Sequence, residues 1–350
     1  MRNASVVAMI GAAVAALAFL CAPAHAQQFR SAAPNAPVCA NCHESQWHSI
    51  DLTAHGAAND ANGSMCQACH GDASEHLKDP MKAKPPNPFG KGHTSEERTG
   101  VCMTCHQSNR NLAFWTSGKH QLNEVSCSNC HSIHGKSLAP SINKFVTTFL
   151  PNQADICANC HQPIRAATMK PSHHPIQEGK VRCTDCHNPH GAITPAMLKQ
   201  PTINDQCYSC HADKRGPYVH NHPPVEENCA TCHNPHGSTN VRMLRIGNWV
   251  NETCTGCHAE KRGPFLWDHA PVREACNTCH DPHGSNNDRM LVAKVPMLCQ
   301  RCHIGTKHPS TIYDATKLDP RSNRLIGRAC VNCHSQIHGS NSPAGHAFLR

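Results

Sequence analysis

Cysteine and histidine are the residues numerous and regular enough to do chemistry in this chain, at 25 and 30 of 350. Cys-x-x-Cys-His occurs twelve times. The paired thiols are Cys39 and Cys42, Cys66 and Cys69, Cys102 and Cys105, Cys127 and Cys130, Cys157 and Cys160, and Cys183 and Cys186. They continue with Cys207 and Cys210, Cys229 and Cys232, Cys254 and Cys257, Cys276 and Cys279, Cys299 and Cys302, and Cys330 and Cys333. The imidazoles that follow are His43, His70, His106, His131, His161, His187, His211, His233, His258, His280, His303 and His334. Only Cys21 lies outside the pattern.

This spacing is the attachment signature of c-type haem. Two thiols form thioethers with the two vinyl groups, and the next residue places its imidazole beneath the iron as proximal ligand. Zinc ribbons also use paired Cys-x-x-Cys, and oxidising compartments favour disulfides. Neither requires histidine after every second cysteine. At this chain's histidine frequency, twelve in twelve by chance has a probability on the order of 10⁻¹³, so the attachment reading governs.

The remaining histidines can supply the second axial ligand. The motifs form six successive pairs, spanning about residues 39–76, 102–134, 157–190, 207–236, 254–283 and 299–338. His55, His120, His174, His222 and His269 precede a second motif, with His308 looser in the last pair. His76, His134, His190, His236, His283 and His338 follow a second motif. These twelve are the distal candidates, and His48, His93, His173, His220 and His346 are left over. His190, His236 and His283 stand in Pro-His-Gly, three residues past a proximal histidine. That is too close to reach the opposite face of the same haem, so each is expected to serve a neighbouring one. The methionines show no regular offset from the motifs and are expected only to pack against haem.

The elements that must position these groups are short. Aromatic residues are 4% of the chain, with 26 prolines and 21 glycines, and no long amphipathic pattern is evident. Such a chain cannot build an ordinary side-chain core. The expected fold class is a multihaem cytochrome c, mostly irregular coil with short α-helices wrapped around a near-linear row of haems, with little or no β-structure. About 27 residues would serve each of twelve covalently bound haems. Lys78 to Gly100 and Ile304 to Ala329 lack motifs and read as surface loops or docking ends. The Cys207 and Cys254 pairs are near duplicates, sharing Lys-Arg-Gly-Pro at Lys214–Pro217 and Lys261–Pro264, and tandem units of this kind give quasi-linear architectures.

Arg2, the apolar run from Val6 to Leu20, and Ala24-His25-Ala26 read as a secretory leader over residues 1–26, leaving residues 27–350 as one elongated domain. A membrane anchor and lipidation at Cys21 are the competing readings. The run is short for a span of about 20 residues, and Leu20 is bulky for a lipidation site. The formal net charge of +8 is not gathered into runs, and no aromatic-basic stripe suggests nucleic acid. Haem propionates would turn the net charge negative.

From about Val38 to Arg350 the chain resembles the MtrA/DmsE family of periplasmic multihaem cytochromes, including the iron-oxidation relatives MtoA and PioA. The specific stretches are Cys66 to His76 (CQACHGDASEH), Lys261 to Gly284 (KRGPFLWDHAPVREACNTCHDPHG) and Ala329 to Gly339 (ACVNCHSQIHG). The resemblance implies bis-histidine haems in near single file, an elongated rod, and distal roles for His76, His269 and His338. It also implies periplasmic localisation at the outer membrane, inside a β-barrel of the MtrB/PioB type. Further partners would be an extracellular multihaem cytochrome and a periplasmic or inner-membrane cytochrome donor or acceptor. The family is usually decahaem, whereas this chain has twelve motifs. Three functions remain open at this point: an electron conduit across the outer membrane, in metal reduction or iron oxidation; a soluble periplasmic shuttle feeding a terminal reductase such as a sulfoxide reductase; and a multihaem oxidoreductase. The last needs a vacant iron coordination site. Full bis-histidine ligation leaves none, so an electron carrier is expected rather than an enzyme.

Overall fold

A single helical turn presents each motif. The backbone N–H of the motif histidine donates to the carbonyl of the first cysteine four residues back, at 2.8 Å for His43, 2.9 Å for His161, His187 and His211, and 3.1 Å for His233 and His280. Residues at i, i+3 and i+4 share one face of a helix, so both thiols and the imidazole leave the turn on the same side.

The computed structural model describes residues 36–134, 153–303, 329–343 and 345–349. The leader over residues 1–26, His308, and most of the Ile304–Ala329 segment lie outside the described residues. The chain divides into two bodies: a first of residues up to His93 together with Ile133 and His134, and a second holding the rest. The first contains α1 (Glu44–Ile50), α2 (Ala54–Ala57), α3 (Ser64–His70) and α4 (Ser74–Lys78). The second contains α5 (Ser95–His106), α6 (Lys119–Leu122), α7 (Gln153–Ala158), α8 (Gln162–Thr168), α9 (Cys183–Cys186) and α10 (Ile203–Tyr208), then α11 (Pro223–Glu227), α12 (Val250–Thr255), α13 (Ala270–Glu274) and α14 (Met297–Gln300). No strand occurs among the described residues, only isolated bridges. The fold is coil with short helices.

Local chemistry sets the boundaries. α5, twelve residues long, opens with a capping box in which Thr94 Oγ1 accepts from Glu97 N and Glu97 Oε2 accepts from Thr94 N. Such a cap contributes about 1 kcal/mol. α10 and α12 each carry an asparagine three residues before their first cysteine. Asn204 Nδ2 donates to the carbonyls of Val225 and Glu226, and its Oδ1 accepts from Cys229 N at 2.8 Å. Asn251 does the same with Val272, Arg273 and Cys276. One side chain thereby locks the first motif of a pair to the second.

Successive pairs interlock at the glycine of Pro-His-Gly. Gly237 and Gly284 have φ of +132° and +128°, and a Cβ there would lie 2.3 Å from Ala167 O and 2.4 Å from the Tyr218 ring. Gly339 meets Phe265 in the same way. The residue after each glycine bridges back to the preceding pair: Ser238 to Ser172, Ser285 to His220, and Ser340 to Trp267. Glycine is required here both by backbone conformation and by the closeness of the earlier segment.

Among the described residues, the buried apolar side chains besides Pro37 are only Trp47, Ile50, Ala73, Trp115, Ala158 and Leu244. Leu52, Met81, Ile193, Val219, Leu266 and Met297 are more than two-thirds exposed. So few residues cannot stabilise a chain of this length against its conformational entropy.

Candidate haem sites

The imidazoles come together in twos. In the first body, His43 lies 6.3 Å from His76 and His70 lies 6.0 Å from His134, centroid to centroid. In the second, His120 meets His161 at 6.2 Å, His131 meets His190 at 6.0 Å, His174 meets His211 at 6.1 Å, and His187 meets His236 at 6.0 Å. His222 meets His258 at 6.3 Å, His233 meets His283 at 6.2 Å, His269 meets His303 at 6.2 Å, and His280 meets His338 at 6.1 Å. These rings are too far apart to touch. Two metal–imidazole bonds of about 2.0 Å, plus about 1.1 Å from each nitrogen to its ring centre, give about 6.2 Å, so the gap fits one iron.

The donor set fits haem and not zinc. Among the described residues, no three or more His, Cys, Asp or Glu side chains converge as a metal site. Two imidazoles suffice only where a macrocycle provides the other four ligands. No disulfide joins any of the 24 described cysteines.

Hydrogen bonds to backbone carbonyls orient one imidazole in each of seven pairs. Nδ1 of His120, His174, His222 and His269 donates to the carbonyl of Pro189, Pro235, Pro282 and Ile337, at 2.7, 2.7, 2.9 and 3.1 Å. Each acceptor immediately precedes a histidine of another ring pair, His190, His236, His283 or His338. Nδ1 of His187, His233 and His280 donates instead to Ala196, Arg242 and Arg289 at 2.8–2.9 Å. A proton held on Nδ1 leaves the Nε2 lone pair for metal. Ala196, Arg242 and Arg289 are non-glycine residues with φ of 53–55°, each followed by a methionine at positive φ, and such backbone is kept where the surroundings demand it.

Met197, Met243 and Met290 therefore correct the expectation that methionines lack a regular offset. Each stands ten residues after a proximal histidine, and its carbonyl accepts from Asn188, Asn234 or Asp281 N at 2.8 Å, closing the turn around that histidine. The offset is visible in the sequence once the second motifs are aligned alone.

The second expectation concerned reach. His190, His236, His283 and His338 each meet the second-motif histidine of the preceding pair, and His120, His174, His222 and His269 each meet the first-motif histidine of the following pair. His55 stands in α2, and His106 ends α5. His334 Nδ1 donates to Ala347 O. Of the histidines left over, His48 sits 3.5 Å from both Glu44 and Asp51, His173 bonds Lys170 O and Glu178, and His346 lies against Trp267.

The thiols make a second chain of contacts. The first cysteines of a pair sit against one another: Cys39 with Cys66, Cys102 with Cys127, Cys157 with Cys183, Cys207 with Cys229, Cys254 with Cys276, and Cys299 with Cys330. Between pairs the second cysteines approach, Cys130 to Cys160, Cys186 to Cys210, Cys232 to Cys257, and Cys279 to Cys302. In the second body the attachment points thus form one unbroken series from Cys102 to Cys330.

These features define a multihaem c-type cytochrome. Residues 173–216, 222–263 and 269–308 match the doubled CXXCH motif, and residues 66–146 match the NrfB-like cytochrome c-type protein family. The chain is 36% identical over 327 residues to the multiheme cytochrome MtrA of Shewanella baltica strain OS185, covering 89% of this chain and 80% of the relative. It is 28% identical over 135 residues to the cytochrome c-type protein NrfB of Escherichia coli O6:H1, covering 36% of this chain and 65% of that protein. The chain belongs to the MtrA family of multihaem cytochromes. It is an electron carrier with covalently bound c-type haems, not an enzyme.

Proposed function

We propose that twelve haems, each between two imidazoles, let this chain relay electrons between the periplasm and the cell exterior as the haem core of an outer-membrane porin–cytochrome complex. The ten ring pairs described above supply ten of the ligand sets, and His55 and His308 complete the distal series. The observation that carries the reading is the continuous run of attachment thiols in the second body, from Cys102 to Cys330. Within a pair the first thiols touch, and between the pairs of the second body the second thiols approach, so that successive macrocycle edges there would be neighbours. Bound haem supplies one-electron iron chemistry. The polypeptide fixes the order and places an imidazole on either side of each iron, which leaves no axial position for substrate.

The resemblance to the MtrA/DmsE family supports a β-barrel partner of the MtrB/PioB type, a cytochrome partner on each side, and the periplasm as the chain's own compartment. No described helix is long and apolar enough to cross a membrane. Outer membranes from the native cells are washed with high salt and stained for covalent haem after electrophoresis. The expected haem band stays with the membrane and leaves it in detergent together with a large β-barrel protein. A band wholly in the soluble periplasm overturns the conduit and points to a shuttle.

A further inference from the structure

Residues 345–349 repeat, by a longer route, the turn that closes around the second-motif histidines. Earlier in the chain His187, His233 and His280 each donate Nδ1–H to a carbonyl nine residues on, and Met197, Met243 and Met290 follow at positive φ. His334 donates instead to Ala347 O, thirteen residues on. Phe348 follows at φ +55°, and its carbonyl accepts from Gln336 N at 3.0 Å. Gln336 is the counterpart of Asn188, because each carbonyl accepts from the glycine three residues later, Gly339 or Gly191, at 3.0 and 3.1 Å. Phe348 therefore stands where the other three turns carry methionine.

The same segment reaches a second site. The Phe348 ring lies 5.4 Å from the His269 ring, tilted at 54°, within the range of aromatic contact. His269 is the imidazole that meets His303, with 25° between the planes. Ile337 O holds His269 at one edge, 3.1 Å from Nδ1, and Phe348 packs against the ring itself. The neighbouring segments are tied together as well. Leu266 N donates to Asn341 Oδ1 at 2.6 Å, Trp267 Nε1 donates to Ser342 O at 3.1 Å, and the His346 ring lies 6.2 Å from the Trp267 ring.

We propose that Ala347 and Phe348 are positioning residues for both irons of the sixth motif pair. The Ala347 carbonyl fixes the tautomer and plane of His334, and the Phe348 ring fixes the plane of His269 opposite His303. A carbonyl that accepts from Nδ1 makes the imidazole a stronger base, which favours ferric iron. A ring packed against an imidazole restricts its rotation about the bond to iron, and that rotation sets the splitting of the iron d orbitals. One short turn thus sets two neighbouring sites through different atoms. The inference rests on the bis-histidine reading above.

The test uses the full haem-loaded protein, with Phe348→Met and a deletion of residues 345–350 as variants. Each is read by haem content, low-temperature electron paramagnetic resonance and stepwise redox titration. Methionine is native at the three equivalent positions, so Phe348→Met keeps the turn and removes the aromatic contact. It is expected to shift the g values of one low-spin signal. The deletion is expected to shift that signal and a second one, and to move one one-electron step to higher potential, a step that Phe348→Met leaves in place. Low-spin spectra of Phe348→Met superimposable on the parent overturn the proposal. So does a deletion variant that keeps all its haem and titrates as the parent does. Haem lost from the deletion variant is expected only on the peptides holding Cys299 and Cys330, and loss from any other motif overturns the proposal too. A high-spin signal in the parent protein overturns the ligation reading instead.

Discussion

At the residue scale, an anchoring hydrogen bond and a ring angle vary from site to site. His187, His233 and His280 are anchored on the side that carries the thioethers, whereas His120, His174, His222 and His269 are anchored on the other. The first group faces its partners at 13–17°; in the second, His120 with His161 is crossed at 59° and His174 with His211 at 48°, while His222 with His258 and His269 with His303 stand at 22° and 25°. Parallel imidazole planes split the iron dxz and dyz orbitals more than crossed planes do. Low-temperature electron paramagnetic resonance should therefore resolve rhombic low-spin signals together with signals of large maximum g. His174→Gly should convert one large-g signal to high spin and leave the rhombic set intact. His236→Met should raise one midpoint potential, since thioether ligation favours ferrous iron. Both members of every ring pair could be named from the sequence, because histidine flanks each motif. Which ring meets which could not, since the partner lies one motif pair away and chain order does not encode that step.

At the scale of the element, short helices owe little to propensity. α10 and α12 have six residues each and are held by Asn204 and Asn251. Asn204→Ala strips the partner from Cys229 N and from two carbonyls, which should cost about 2–3 kcal/mol, read as a lower denaturant midpoint with haem content unchanged. Gly284→Ala forces a φ of +128° on alanine and drives Cβ into the Tyr218 ring. A loss of about 2 kcal/mol or more is expected, with Gly92→Ala, where nothing lies within 4 Å, as the milder control. The need for glycine was legible as a turn signal. Its second cause, the Tyr218 ring, was not, because that contact joins residues 66 positions apart.

At the scale of the whole molecule, the polypeptide is a wrapper for cofactors that must do the work of a core. With so few buried apolar residues among those described, the chain expressed without haem attachment should show a disordered circular dichroism spectrum and rapid proteolysis, whereas the loaded protein should resist both. The deficit of aromatic residues announced this in the sequence, and the coil-rich fold class followed from it. The boundary between the two bodies, after His93, falls inside the motif-free Lys78–Gly100 segment, which in the sequence reads as a surface loop or docking end and not as a break between bodies.

The exchange of ligands between neighbours has a consequence for how such proteins change length. Under the proposed ligation, a motif pair inside the row gives one imidazole forward and one backward, and receives one from each side. Copying such a segment in register leaves no iron short of a ligand and no imidazole idle. At the amino-terminal end His43 meets His76 from its own pair, so that end closes on itself. Growth by duplication is therefore neutral in the interior and forbidden in half steps. The near-identical segments beginning at Cys207 and Cys254 are the mark such a copying event would leave in the gene.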